Sequence, residues 1–106
     1  MSSTQMLKGI LKGCLLAVIS EGEIYGYEMI EKLSNYGFDM ISEGSIYPLL
    51  LRMKKEELVF TKEKDSPSGP KRKYYKLTPK GYEELKEFIN DWENMYKSVN
   101  NLIEGK

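Results

Sequence analysis

Histidine is absent from this sequence, and cysteine occurs once, as Cys14. The commonest general base and the commonest zinc ligand are therefore missing. A lone thiol can close no internal disulfide and build no structural zinc site. Such sparse cysteine fits a reducing compartment, so a cytoplasmic location is expected. Set in an apolar segment, Cys14 reads as a small buried hydrophobe. No apolar run approaches the roughly 20 residues that span a bilayer. The opening "MSSTQMLKG" lacks the basic region and cleavage site of a signal peptide. There is no phosphate-cradling glycine loop and no convincing carboxylate pair. No enzyme, no metal and no cofactor is expected.

Net charge is lacking too: 16 Lys/Arg balance 16 Asp/Glu over 106 residues. The balance is uneven along the chain. Residues 52–80 hold ten Lys/Arg and four Asp/Glu, a surplus of +6, whereas residues 1–51 and 81–106 each hold three and six, or −3. A basic middle between acidic ends points to a localised anionic partner; the plainer alternative is a solvated, lysine-rich hairpin. With 41% hydrophobic and 30% charged residues, the chain suits one globular domain. A core this thin gains much from a partner subunit.

Periodicity predicts four helices and two strands. In "TQMLKGILKGCLLAVISEG" apolar residues recur at helical spacing from Met6 to Ile19, with Ser3 or Thr4 as cap and Gly22 as stop. Cys14 to Ile19 is apolar all round, which requires cover on more than one side. A second helix, "YGYEMIEKLSNYG", turns Met29, Ile30 and Leu33 inward and stops at Gly37. Gly26 in its first turn is unfavourable for a helix and suggests close approach of another backbone. A third helix lies in "SEGSIYPLLLRMKKEEL". "LVFTKEK" and "KRKYYKL" read as strands around "DSPSGP", whose two prolines disfavour a tight turn and predict a loose loop. The last helix opens with Thr78 as N-cap and Pro79 at its first position.

That last helix carries an unbroken heptad seam at Tyr82, Leu85, Ile89, Trp92, Tyr96, Val99 and Ile103, widened by Phe88, Met95 and Leu102. At ~1.5 Å per residue, some 25 residues reach about 37 Å, well past the roughly 13 Å radius of gyration of such a domain. Its far half has no evident cover within one chain. The over-apolar first helix has the same difficulty. One twofold interface between the terminal helices would solve both, with Leu7, Leu11, Leu15, Leu85, Ile89, Trp92, Tyr96, Val99 and Ile103 at the homodimer contact. The alternative is a helix folded back on its own core.

Three helices followed by a basic hairpin is the pattern of a winged helix-turn-helix: mainly α (α+β), with a two-stranded β wing and a long C-terminal dimerisation helix. Residues 1–77 form the DNA-binding part and 78–106 the dimerisation helix, packed with the first helix as one compact unit. In the third helix Ile46, Leu49 or Leu50, and Met53 face inward, leaving Ser45, Tyr47, Pro48, Leu51, Arg52 and Lys55 outward. Gly44 removes bulk at its front, Ser45 and Tyr47 offer hydroxyls, Pro48 suits a thymine methyl, and free backbone N–H groups favour an anion. With Ser45 as cap, Pro48 falls in the first turn and loses no bond; with Ser42 as cap it removes one bond to the Gly44 carbonyl. The wing cations Lys62, Lys64, Lys71, Arg72 and Lys73 are placed for phosphates or the minor groove.

Three pieces carry a family resemblance: "YGYEMI" at 25–30, "GSIYPLLLRM" at 44–53 and "KRKYYKLTPKG" at 71–81. In order and spacing they resemble the PadR family of bacterial transcriptional regulators, over nearly the whole chain. The short members with a single C-terminal helix are the most similar. The resemblance implies a winged helix with an added dimerisation helix. It also implies a repressor acting on palindromic operators, released by small molecules or stress. In some short members a tryptophan on the last helix lines a pore between subunits and stacks on flat aromatic ligands; here that residue would be Trp92. One position departs. Where the family usually has glycine before the first wing strand, as in "EEGLI", this chain has "KEELV", with Glu57 in that place. Helix three must then end without the usual left-handed glycine, which leaves the angle between helix and wing open.

The leading expectation is thus a homodimeric DNA-binding repressor on double-stranded DNA. Gly44, Ser45, Tyr47, Pro48 and Arg52 would enter the major groove, the wing cations would lie on the backbone, and Tyr25 and Tyr27 would reach phosphates. A second reading adds a planar hydrophobic ligand in a slot of Phe88, Trp92 and Tyr96; the alternative is ordinary packing of Trp92. A third is a protein-interaction module without DNA, against which the basic middle argues. No membrane partner is expected.

Overall fold

The computed structural model describes residues 3–105. Along the chain run α1 (Ser3–Ser20), β1 (Ile24–Tyr25), α2 (Gly26–Asn35), α3 (Glu43–Lys55), β2 (Val59–Ser66), β3 (Gly69–Leu77) and α4 (Pro79–Glu104). The side chains of Ser3 and Thr4, expected at the cap of α1, lie outside the described ones. Among the described residues no helix is long and apolar enough to cross a membrane.

α1 is the hub of the core. Leu7, Leu11, Leu15, Leu16, Val18 and Ile19 are all buried on it, which explains why its last turns are apolar all round. The cover comes from the chain itself. Leu7, Leu11, Leu15 and, on α4, Leu85 were expected at a partner interface; each is at most 8% exposed within the single chain and serves its own core. The reason is a close crossing of α1 and α4. Gly13 has no side chain, and the Phe88 ring occupies the space where a Cβ would stand.

The sheet has three strands rather than two, in the antiparallel order β1-β3-β2. β1 is only Ile24 and Tyr25, paired with Tyr75 and Tyr74. Two residues offer no alternation to read, so the sequence pattern is silent there. The hairpin tip also differs from expectation. Ser66 pairs with Gly69, leaving Pro67 and Ser68 as a tight two-residue turn. A register shift between Lys64 and Ser66 and the positive φ of Gly69 (117°) absorb the misfit. The Ser66 hydroxyl donates to the Pro70 carbonyl at 2.6 Å and braces the turn.

Helix ends follow local chemistry. α2 stops at Gly37, whose φ is 104°. Gly26, at its start, is approached not by backbone but by a ring: a Cβ there would lie 2.8 Å from Tyr47 Cζ. At the front of α3 the cap is Ser42, in extended conformation, so Pro48 lies inside the helix and leaves the Gly44 carbonyl without its helix bond. The Ser42 backbone carbonyl accepts from the N–H groups of Ser45 (3.0 Å) and Ile46 (3.2 Å).

At the far end of α3, Glu57 does what glycine usually does. Its φ is +61°. Its N–H donates to the Lys54 carbonyl at 3.0 Å, and the Leu58 N–H donates to the Met53 carbonyl at 2.9 Å. This is a Schellman ending with a strained residue at the left-handed position. Glu57→Gly is therefore expected to stabilise the fold by about 0.5–1 kcal/mol, since relief of strain outweighs the added freedom of the unfolded chain. Urea titration with unchanged m-value would check it; a lowered midpoint would refute it.

α4 is anchored at that same corner. The Thr78 hydroxyl accepts from the Gly81 N–H (3.0 Å) and donates to the Glu57 carbonyl (2.6 Å). The Thr78 N–H donates to the Leu58 carbonyl at 3.0 Å. Lys12 of α1 bridges Glu56 and Glu84 at 3.1 Å each. Burial works against its charge, but the two carboxylates outweigh that and raise its pKa. Beyond Phe88 the helix leaves the body of the protein, whose extents are 57 × 28 × 20 Å. Ile89, Trp92, Tyr96, Val99 and Ile103 are all exposed, from 41% to 65%.

Candidate nucleic-acid interface

The buried stripe of α3 is Ile46, Leu50 and Met53, with Leu49 packed beside it. This sets the opposite side free. Gly44, Pro48, Leu51, Arg52 and Lys55 share one exposed face at helical spacing, and Ser45 and Tyr47 flank it. Leu51, 56% exposed among polar neighbours, belongs with this face, as its helical spacing predicts. Gly44 and Ser45 also border a separate groove of about 260 Å³ with Leu7, Leu11 and Met40.

Strand alternation divides the wing cations. Opposed residues in an antiparallel pair share a face. Lys62 stands opposite Tyr74 and Lys64 opposite Arg72, so Lys62, Lys64 and Arg72 lie together. Lys71 and Lys73 fall on the other face with Tyr75. Lys64 is ion-paired with Glu23, and its ammonium lies 5.1 Å from the centre of the Tyr74 ring. The bond to Lys64 is the main reason the Glu23 carboxyl is held below its ordinary range. Arg72 lies over the Tyr25 ring at 4.5 Å, and Tyr25 meets Tyr74 edge-on at 5.4 Å.

One groove, of about 310 Å³, gathers parts of all three elements. Tyr25 and Gly26 come from the front of α2, Tyr47 from α3, and Lys71, Lys73 and Tyr75 from β3. Arg72 borders it as well, whereas Tyr27, Lys62 and Lys64 do not. Tyr27 is exposed nearby on α2. Sequence reasoning missed Tyr75. As an inward strand position it reads as core, and the only signal was the adjacent tyrosine pair, which must place one ring on each face. Burial, then the nearby Tyr47, raises the Tyr75 pKa; burial, then Glu43, raises that of Tyr47. Both hydroxyls stay protonated donors.

On α4 the aromatic residues part company. Phe88 packs into α1 at Gly13, whereas Trp92 and Tyr96 are exposed with ring centres 6.1 Å apart, tilted by 39°. Cys14 is half-buried, and burial pushes its thiol pKa up. Among the described residues no acidic, histidine or cysteine cluster could hold a metal ion.

Residues 15–87 match the transcriptional regulator PadR-like family. Solved structures are similar over most of the chain. A PadR-like transcriptional regulator from Bacillus cereus strain ATCC 14579 is 56% identical, with a TM-score of 0.88 over 96% of this chain and 99% of that one. A Streptococcus transcriptional regulator is 40% identical, with a TM-score of 0.82 over 92% and 96%. Bacillus subtilis PadR, solved in complex with operator DNA, is 24% identical, with a TM-score of 0.69 over 76% of this chain and 46% of that one; this likeness is one of fold.

Proposed function

As this chain belongs to the PadR-like family of transcriptional regulators, which are not enzymes, we propose that it works as a homodimeric repressor on a palindromic operator in double-stranded DNA. The fold is the winged helix of that family with its long last helix. One observation carries the reading further: Tyr47, at the flank of the free face of α3, meets the front of α2 and the basic run of β3 around one groove, in a chain without net charge. Gly44, Ser45, Tyr47, Pro48 and Arg52 read bases in the major groove. Tyr25, Tyr27, Lys71, Arg72 and Lys73 hold the backbone, with Lys62 and Lys64 toward the outer side of the wing. Residues 1–77 thus serve DNA and 78–106 serve pairing, as one packed unit.

Pairing is supported by the apolar stripe of α4, from Ile89 to Ile103, left uncovered by the chain itself. Since Leu7, Leu11, Leu15 and Leu85 are already buried, the twofold contact rests on the outer half of α4. Two recognition helices then stand about 34–36 Å apart, one turn of DNA. Release by a planar hydrophobic molecule is supported by the exposed Trp92–Tyr96 pair; quenching of the single tryptophan by flat aromatic compounds tests it, and no quenching by any of them speaks for ordinary packing.

Salt dependence tests the DNA reading. Lys71 and Lys73 of two subunits alone predict that log K falls against log salt with a slope of about −3.6. Titration of a selected duplex between low and moderate salt measures it. A flat response would remove these cations from the DNA backbone and favour a protein partner.

A further inference from the structure

Alternation along the hairpin gives its sheet two unlike faces. Val59, Tyr75 and Leu77 point into the core and are buried. Phe60, Lys62 and Lys64 therefore point outward on β2, opposite Lys76, Tyr74 and Arg72 on β3. An outward strand position is ordinarily polar, yet Phe60 is 46% exposed. Lysines flank it: Lys62 follows on its own strand, and Lys76 stands across from it. Tyr74 comes next, half-buried, opposite Lys62 and edge-on to the Tyr25 ring of β1. Rings and ammonium groups thus alternate along and across the strands. Glu23 is the acid among them. The bond to Lys64 first, then the nearby Lys62 and Lys76, holds its carboxyl below its ordinary range. One carboxylate meets three lysines, so the face keeps a cationic surplus. The groove at the front of α2 lies elsewhere: Phe60, Lys62, Tyr74 and Lys76 do not border it.

We propose that this outer face of the sheet binds a single strand of nucleic acid, with bases stacked on Phe60 and Tyr74 and phosphates held by Lys62, Lys64 and Lys76. The lysines call for an anion, and the rings call for a flat apolar surface. A partner must supply both at short intervals, and an unpaired strand does so at every nucleotide. Phe60 and Tyr74 are diagonal neighbours on the sheet, about 7–8 Å apart, so an extended strand crossing the wing meets one ring and then the other. A duplex keeps its bases stacked inside and offers this face only phosphates, which leaves Phe60 bare. An acidic peptide answers the lysines alone. Glu23 competes with phosphate for Lys64 and so sets a ceiling on affinity. The site stands apart from the operator reading, because Phe60, Tyr74 and Lys76 take no part in it.

Fluorescence anisotropy with the full-length protein and short labelled oligothymidylate and oligouridylate tests it. Both are expected to bind, and the tighter of the two names the strand as DNA or RNA. Phe60→Ala should lose about tenfold, whereas Phe60→Tyr, which keeps a ring, should bind like wild type. Thermal melting of the free variants shows that both are folded. Glu23→Gln, which frees Lys64, should gain about threefold. A duplex selected from a random-sequence library should leave the labelled strand in place. The site would be overturned by no binding of either oligonucleotide, by unchanged affinity in Phe60→Ala, by an equal loss in Phe60→Tyr, by weaker binding in Glu23→Gln, or by displacement of the strand by the duplex. Oligoglutamate that displaces the strand, and that binds Phe60→Ala as tightly as wild type, would assign the face to an acidic protein instead. A protein that binds the strand but selects no duplex removes only the operator reading.

Discussion

Val99→Glu is expected to turn the proposed dimer into a folded monomer and to weaken operator binding by roughly 10²–10⁴-fold. Val99 sits on the uncovered stripe of α4 between Tyr96 and Ile103, 43% exposed in the single chain. A twofold contact places the two copies of a seam residue near each other, so the variant would bury two like charges without partners. The fold of the subunit should survive, because α4 is anchored through its first turns, by Thr78, Gly81, Glu84, Leu85 and Phe88, well before Val99. Loss of binding follows from arithmetic. Two linked recognition helices bind the second half-site as an intramolecular event, and a monomer forfeits that gain. Sedimentation and DNA titration measure both effects, with Asn101→Glu, off the seam, as control. A Val99→Glu dimer of unchanged affinity would show that the stripe is not the interface.

Gly81→Ala carries the largest expected loss of stability, about 3 kcal/mol. A Cβ on Gly81 would collide with the Leu58 carbonyl oxygen and stand 3.2 Å from both the carbonyl carbon and a Leu77 methyl. The obstacle is main chain, which cannot turn aside as a side-chain tip can. Moving it breaks the bond from the Thr78 N–H to Leu58 and disturbs the cap on α4. For a domain of this size the melting temperature should fall by about 15 °C. Gly9→Ala is the matched control: nothing lies within 4 Å of its Cβ position, and alanine in a helix should add about 1 kcal/mol. Equal melting of the two variants would refute the account.

Much of the fold was legible because local rules agreed with one another. Thr78 and Pro79 marked the start of α4, Gly22 and Gly37 marked the ends of α1 and α2, and the face of α3 followed from its spacing. The wing and the protruding half of α4 followed from charge and from length. Other features could not be read, each for a physical reason. β1 is too short to show a period. The tip at Pro67 is tight because a register shift and a positive φ at Gly69 compensate, and neither is visible in a residue name. The cover of α1 by α4 depended on Gly13, whose lack of a side chain matters only once Phe88 is known to cross there. At the candidate site, Tyr25, Tyr47, Lys71 and Lys73 were found from chemistry and spacing. Tyr75 was not, since a tyrosine two residues before the buried Leu77 looks like core until the groove beside it is seen.

The joint where α3, β2 and α4 meet has a mechanical consequence. Thr78 fastens the start of α4 to Glu57 and Leu58, and Lys12 ties both helices to α1, which leaves little slack between the part proposed to read DNA and the part proposed to pair. α4 is then a rigid lever about 39 Å long. Rotating two such levers by about 5° where they cross would carry each reading head some 3 Å along the duplex, most of the rise of one base pair. A small wedge between paired helices could therefore uncouple both heads from their half-sites while every bond within each subunit stays in place.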